Sequence, residues 1–188
     1  MSHGYRQILE RADQHFAAVT DEQPGNLSCR RGCAICCHGF FEIGAADVAL
    51  IADGLAALPP EERHALISRA EEAMLSAEHP DLRRGPTAEK EEFFSRTDSL
   101  PCPALGPEGD CRIYAHRPLV CRTFGIPLRE GDRYLGQECE LNFVGASLAE
   151  KERAAWDLFW EDELGPEDEF TVAEAIVLAG RTMLRGRR

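Results

Sequence analysis

The sequence predicts a mostly α-helical protein in which irregular loops carry the cysteines and any β-strands are short. Apolar residues recur at helical spacing near both ends of the chain and again after Gly44, and helix-capping residues precede the C-terminal segments. Glycine and proline, in contrast, are concentrated in the middle of the chain. From the length of 188 residues we expect residues 1–188 to form a single domain.

The first part of the chain is expected to contain one amphipathic helix and a helical hairpin. Apolar residues repeat every three or four positions over 5–19, which predicts the first helix. The same spacing follows Gly44 and continues to Pro59 and Pro60, which end one helix and begin another. A helical hairpin is therefore predicted at about 45–77.

Two capping boxes predict two helices within 146–187. Ser147 with Glu150, and Thr171 with Glu174, have the spacing at which each side chain satisfies a backbone N–H at the start of a helix. The buried stripes expected for these helices are Trp156, Phe159 and Trp160 in the first and Val172, Ile176, Ala179 and Met183 in the second.

The segment between Pro101 and Gly131 is expected to be mostly loop. It holds nine of the chain's 27 glycines and prolines, a density that permits only short strands such as 112–114. A loop of this length in a compact protein is usually ordered by something other than regular hydrogen bonding. Bonds between a metal ion and cysteine thiolates are one way to order it.

The eight cysteines fall into two sets with different spacing. Four sulfurs lie within nine residues in the run Cys29-x3-Cys33-x2-Cys36-Cys37, and this spacing is typical of zinc and iron–sulfur sites. The second set is spaced more loosely and is a weak signal by itself: Cys102, Cys111, Cys121 and Cys139. Spacing leaves open two tetrahedral sites, one iron–sulfur cluster with spare thiols, or one polynuclear site that uses both sets.

The charge distribution also favours thiolate chemistry near both cysteine sets. The chain has 33 acidic and 21 basic residues, but 23–41 and 111–129 contain no Asp or Glu. These two windows contain instead the arginines Arg30, Arg31, Arg112, Arg117, Arg122 and Arg129. Because cations stabilise the thiolate form that binds metal, composition and spacing indicate the same chemistry.

Three stretches of sequence have a recognisable pattern. They read Cys29-Arg-Arg-Gly32-Cys33-Ala-Ile-Cys36-Cys37, Pro101-Cys102-Pro103-Ala-Leu105 and Cys111-Arg-Ile113-Tyr114-Ala-His-Arg117-Pro118-Leu-Val-Cys121-Arg122-Thr-Phe124. This pattern resembles the YkgJ-like cysteine-cluster family of proposed zinc- or iron-chelating domains, over 29–139. The resemblance implies eight metal ligands: Cys29, Cys33, Cys36, Cys37, Cys102, Cys111, Cys121 and Cys139. Within this resemblance, Arg117 and Arg122 are candidates to donate hydrogen bonds to cluster sulfurs or to loop carbonyls, and the alternative for both is a surface salt bridge.

We therefore expect a protein that binds zinc or iron through cysteine thiolates, with an iron–sulfur cluster as one form of the site. One alternative is an iron–sulfur-dependent redox or methyl-transfer enzyme or accessory protein, because the cluster is similar to one attached to a flagellin lysine methylase. The other alternative is a thiol–disulfide protein. The sequence does not decide whether the protein is an enzyme.

The remaining expectations concern location, partners and histidines. No secretory signal or membrane span is recognisable in the sequence, which predicts a cytoplasmic protein with reduced thiols. The net charge of -12 disfavours binding to nucleic acid or to anionic membranes, so the expected partner is the metal ion, and no protein partner is predicted. His38 and His116 are weaker ligand candidates. The other histidines are expected to be solvated: His3, His15, His64 and His79.

Overall fold

The computed structural model describes residues 3–84, 86–159 and 168–185, and these ranges are mostly helical. Their helices are α1 (His3–Glu22), α2 (Ala45–Ala57), α3 (Pro60–Ser76), α4 (Thr87–Thr97), α5 (Leu119–Thr123), α6 (Leu148–Ala154) and α7 (Val172–Arg185). Their strands are β1 (Glu42–Ile43), β2 (Leu128–Glu130), β3 (Arg133–Gly136), β4 (Trp156–Asp157) and β5 (Phe170–Thr171). The prediction of a mostly helical protein with short strands is confirmed. Within the described ranges, no helix has the combination of length and apolar character needed to cross a bilayer.

The chain divides into two compact units. Unit 1 comprises Met1–Cys36 and Leu119–Pro166, and unit 2 comprises Cys37–Pro118 and Glu167–Arg188. Each unit therefore combines an earlier and a later segment of the chain. The expectation of a single domain stays a prediction.

Unit 1 is built on α1, which packs against the short helix α5. The predicted amphipathic pattern of α1 is confirmed, because Tyr5, Ile8 and Ala12 are buried on one face of the helix. A three-stranded sheet completes the unit, in the order β3-β2-β4. Strand β2 pairs antiparallel with β3 and parallel with β4.

The first C-terminal helix starts as predicted but is shorter than predicted. Ser147 and Glu150 form the capping box, since the Glu150 carboxylate accepts from the Ser147 N–H at 2.8 Å. The helix ends at Ala154, and the prediction that Trp156 continues its buried stripe is wrong. Trp156 lies in β4, where its N–H donates to the Pro127 carbonyl at 2.8 Å.

The aromatic side chains of that predicted stripe are in different environments. Trp156 is buried, and the ring of His15 packs edge-on against it with 5.6 Å between ring centroids. His15 Nε2 also lies 2.9 Å from the Ala154 carbonyl oxygen, so His15 is not the solvated residue that we expected. Phe159 is exposed, and Trp160 lies outside the described residues.

Unit 2 contains α2 and α3, which lie within the predicted range of about 45–77 and each pack on α7. Their arrangement as a hairpin stays a prediction. Pro60 is the first residue of α3, so its missing N–H removes no helical hydrogen bond. Gly180 allows α3 and α7 to approach closely, because a Cβ atom at this position would lie 2.7 Å from Ile67 Cδ1. The predicted start of the last helix is confirmed, since Thr171 Oγ1 accepts from the Glu174 N–H at 3.1 Å.

Three features of the middle of the chain differ from the predictions. Residues 112–114 do not form a strand, because the chain turns there and enters a 3₁₀ helix at Tyr114–His116. The loop segment also contains α5, which follows Pro118 and carries Cys121. Helix α4 was not predicted; it begins directly after Pro86.

His79 lies in an aromatic cluster of unit 2 and is half-buried, so the expectation that it is solvated is wrong. Its ring centroid is 5.5 Å from that of Phe40 and 5.0 Å from that of Phe93. Its Nε2 lies 2.9 Å from Thr171 Oγ1. Burial lowers the pKa of His79, an effect that the Glu174 carboxylate partly opposes.

We predict that this histidine makes the protein less stable in mild acid. The unfolded chain binds a proton at His79 near its ordinary pKa of about 6.5, whereas the folded protein resists protonation until a lower pH. The stabilisation is therefore complete above about pH 6.5 and is lost as the pH falls through the lower pKa of the folded state. Chemical unfolding of wild type and His79→Gln between about pH 8 and pH 5 measures this effect. Wild type should lose stability relative to the variant, and parallel pH profiles would contradict the prediction.

Candidate metal centre

The two units divide the eight cysteines into two groups. Unit 1 holds Cys29, Cys33, Cys36, Cys121 and Cys139, and unit 2 holds Cys37, Cys102 and Cys111. The boundary between the units thus falls between the adjacent residues Cys36 and Cys37. Each group combines cysteines from both of the sets that sequence spacing distinguishes.

Four thiols of unit 1 share one neighbourhood around Cys29. Packing around its sulfur raises the pKa of Cys29, although the residue as a whole is exposed. A hydrogen bond from Asn142 opposes that shift, and electrostatic interaction with Cys33, Cys36 and Cys139 adds to it. Two other thiols of the first cluster and one from the far end of the motif therefore lie close enough to Cys29 to act on it.

Backbone hydrogen bonds bring these distant stretches of unit 1 together. The Phe143 N–H donates to the Asn26 carbonyl at 2.6 Å, and the Cys139 N–H donates to the Gly125 carbonyl at 3.4 Å. Within the first cluster, the Cys33 N–H donates to the Arg30 carbonyl at 3.0 Å and closes a turn. The site is thus held by irregular loop contacts and not by a helix or a strand.

Gly125 lies at the point where these loops meet. Its φ of +96° is in the region that side chains other than glycine rarely adopt. A Cβ atom there would lie 3.0 Å from Asn142 Nδ2, 3.6 Å from Cys139 Cβ and 3.8 Å from Cys29 Sγ. The absence of a side chain at Gly125 therefore allows Cys29 and Cys139 to pack against the same stretch of backbone.

Unit 2 brings its three cysteines together through short backbone pairings. The Cys102 N–H donates to the Cys37 carbonyl at 2.9 Å, next to an antiparallel bridge between His38 and Pro101. A second antiparallel bridge joins Leu105 to Cys111. Three separate stretches of chain are thereby paired side by side, and each of them carries one cysteine.

The thiol of Cys102 is strongly affected by its surroundings. Burial raises the pKa of Cys102 to about 11, and the neighbouring thiol of Cys111 acts in the same direction. Hydrogen bonds from the backbone of Ala104 and Leu105 lower the pKa of Cys102, and the Arg69 guanidinium, which also donates to the Pro103 carbonyl at 3.1 Å, lowers it by a smaller amount. Without a metal cation, Cys102 is therefore a neutral thiol at physiological pH.

The donor chemistry of both groups suits a zinc or iron ion, which binds thiolate sulfur. All eight cysteines carry thiols and none of them forms a disulfide. Among the residues that the structure describes, no three Cys, His, Asp or Glu side chains stand in an arrangement that holds an ion. Cys29 and Cys102 thus have thiol neighbours, but the described side chains do not form a ligand shell.

Three of the six arginines in the acid-free windows contact carboxylates from other parts of the chain. In unit 1, Arg122 is buried and donates to Asp13, and Arg129 lies 3.1 Å from Asp157. In unit 2, Arg112 pairs with Glu62 on α3. The salt-bridge alternative for Arg122 is the one seen in the structure, and its role toward cluster sulfurs stays a prediction.

The other predicted candidates lie in unit 2. The Arg117 guanidinium stacks over the Tyr114 ring, with 4.1 Å between its carbon and the ring centroid. His116 packs against Gly54 of α2, where a Cβ atom would lie 2.8 Å from His116 Cβ. His38 lies in the bridge beside Cys37. Metal binding by these two histidines stays a prediction.

Sequence reasoning missed two residues that contact or influence the thiols. Asn142 donates from Nδ2 toward Cys29 Sγ at 3.4 Å, and Arg69 acts on Cys102 from α3. Asn142 stands three residues after Cys139, which is a weak signal. Nothing in the sequence indicates a role for Arg69, because it lies on α3, far along the chain from every cysteine.

Comparison with protein families identifies the chain. The family model described as "CxxCxxCC: Putative zinc- or iron-chelating domain" matches residues 28–140, and the chain belongs to this family. The match covers more than half of the chain and includes all eight cysteines. Comparisons with curated proteins and with solved structures found no match. The family supports metal binding in general and leaves the choice between zinc and iron open.

We predict that Gly125→Ala destabilises unit 1 and weakens metal binding together. A side chain at φ +96° costs on the order of 1–3 kcal/mol, and the added methyl group crowds Asn142. Gly131→Ala is the matched control, because Gly131 also has a positive φ but has no atom within 4 Å of the Cβ position. Chemical unfolding and metal titration should show a loss of stability in both variants and weaker metal binding only in Gly125→Ala. Equal metal binding by the two variants would contradict the prediction.

Proposed function

We propose that this protein binds zinc or iron through cysteine thiolates, with Cys29, Cys33, Cys36 and Cys139 as one ligand group. The observation that carries the proposal is that Cys29 and Cys139 pack against the same glycine, Gly125, while Cys33 and Cys36 act electrostatically on Cys29. These thiols come from opposite ends of the matched family segment, and four thiolates are the usual number in a structural zinc site or an iron–sulfur site. The proposal includes rotation of the side chains when the ion binds.

The other four cysteines are proposed as further ligands. Cys37, Cys102 and Cys111 are grouped by the backbone pairings of unit 2, and Cys121 lies on α5 of unit 1. The raised pKa of Cys102 is consistent with a thiol that loses its proton only when a cation binds, since a bound cation stabilises the thiolate. Bound zinc would supply folding energy or a Lewis acid, whereas iron in an iron–sulfur cluster would supply electron transfer.

Metal analysis of protein purified with and without oxygen is the direct test of the function. Colourless protein that contains zinc supports a redox-silent centre. Brown protein that contains iron and bleaches on reduction supports an iron–sulfur cluster, a form that is consistent with the adjacency of Cys36 and Cys37. Protein without metal and without titratable thiols would reject the proposal in favour of the thiol–disulfide alternative.

We predict that Cys33→Ser and Cys36→Ser each lower the metal content and the stability that metal confers. Metal binding stabilises the folded protein by about 2.7 kcal/mol when the free metal is 100-fold above its Kd, and loss of one thiolate reduces this gain. Metal analysis together with thermal unfolding before and after chelation measures both quantities. In each variant the unfolding temperatures of loaded and chelated protein should move closer together.

Ile35→Ser is the matched control for these variants. Ile35 lies between the two cysteines in the same loop and 43% of its surface is exposed, so serine here changes the loop without removing a ligand. Ile35→Ser should keep the metal content of wild type. Wild-type metal content in both cysteine variants would reject their assignment as ligands.

A further inference from the structure

The side-chain amide of Asn142 lies between Cys29 and two other stretches of unit 1. Only 3% of the surface of Asn142 is exposed. Its Nδ2 donates to the Gly125 carbonyl at 2.7 Å and toward Cys29 Sγ at 3.4 Å. Its Oδ1 accepts from the Ser28 N–H at 2.9 Å. The amide therefore uses both of its donor hydrogens and one acceptor position inside the protein.

The neighbours of this amide fix which end faces the sulfur. The Ser28 N–H is a donor only, so the atom facing it must be the amide oxygen. The Gly125 carbonyl is an acceptor only, so the atom facing it must be the amide nitrogen. The second hydrogen of that nitrogen then points to the Cys29 sulfur. The hydrogen-bond network therefore determines that the amide N–H, and not the amide oxygen, faces this sulfur.

Asn142 also contacts the second distant cysteine of the ligand group. Its backbone N–H donates to the Cys139 carbonyl at 2.8 Å. The residue thus joins Cys29 and Cys139, which lie near opposite ends of the matched family segment. Asn142 itself lies just outside the matched range of 28–140.

From this geometry we propose that Asn142 is a positioning residue that orients the Cys29 sulfur and donates a hydrogen bond to its thiolate in the metal-bound protein. This inference rests on the proposed function. A thiol at Cys29 also faces Asn142 Oδ1 at 3.9 Å, but a thiolate has no hydrogen to donate, so only the bond from Nδ2 remains. Hydrogen bonds to charged acceptors are stronger than those to neutral ones, and this bond therefore favours the form of Cys29 that binds metal.

Titration of the full-length apo protein with Co²⁺ under anaerobic conditions tests the inference. In Asn142→Ala the Co²⁺ affinity should fall about 10- to 100-fold, which is the usual effect of removing a residue that orients a ligand. The absorption band that arises from sulfur-to-cobalt charge transfer should shift to longer wavelength, because the lost hydrogen bond no longer stabilises the sulfur electrons. Asn142→Asp, which retains an oxygen for the Ser28 N–H but lacks the amide donors, should show the same shift.

A double-mutant cycle with Cys29→Ser separates a positioning role from a purely structural one. If Asn142 acts through the Cys29 sulfur, then Asn142→Ala should cause little further loss of Co²⁺ affinity when Cys29 is already serine. Gln23→Ala is the matched control, because this half-buried amide of unit 1 donates to the Glu150 carbonyl at 3.2 Å and not to a cysteine. Gln23→Ala should leave both the affinity and the spectrum unchanged.

The possible results distinguish failure of this inference from failure of the proposed function. Wild-type protein that does not bind Co²⁺ would reject the proposed function, and the inference with it. Wild-type protein that binds Co²⁺, with the same affinity and spectrum in both Asn142 variants, would reject the inference alone. The same conclusion holds if Asn142→Ala lowers affinity equally with and without Cys29, or if the apo variants lose the helical circular dichroism signal of the wild type.

Discussion

The candidate metal centre of unit 1 depends on a few hydrogen bonds that join 26–29 to Gly125 and to 139–143. These stretches have no regular secondary structure, so no ladder of backbone bonds fixes their spacing. The bond from the Phe143 N–H to the Asn26 carbonyl and the bonds of the Asn142 amide take over this role. Ser28 Oγ also donates to the Leu141 carbonyl at 2.8 Å. Because these bonds connect the two ends of the cysteine motif, we expect a change at one junction to affect several cysteines at once.

In each unit, burial raises the pKa of one cysteine, and different groups oppose this effect. Burial raises the pKa of both Cys29 and Cys102, and so favours the neutral thiol over the thiolate that binds metal. In unit 1 the neutral amide of Asn142 opposes this effect. In unit 2 hydrogen bonds from the backbone of Ala104 and Leu105 oppose it, and the guanidinium of Arg69 adds a smaller effect. Asn142 and Arg69 lie outside the cysteine motifs, whereas Ala104 and Leu105 lie within one.

Local patterns in the sequence predicted those parts of the fold that depend on local interactions. Helices α2 and α3 and the start of α6 follow from apolar spacing, proline positions and the capping box at Ser147, all of which act within a few residues. Trp156 could not be placed in this way, since its strand exists only through pairing with β2. The cysteines were recognised by their spacing, but their grouping was not, because it depends on pairings such as Cys37 with Cys102.

The acid-free windows show why charge composition along the chain is a limited guide to a site. Counting residues suggested that Arg112, Arg122 and Arg129 would act on the thiols, yet each of them meets a carboxylate from another element. An arginine paired in this way presents less positive charge to a sulfur, because its partner's field opposes its own. A group in direct contact with the sulfur acts over a shorter distance than such an arginine. It can therefore change the pKa of the thiol even when it carries no formal charge. For this reason the neutral amide of Asn142 affects Cys29 although sequence composition gave no reason to consider it.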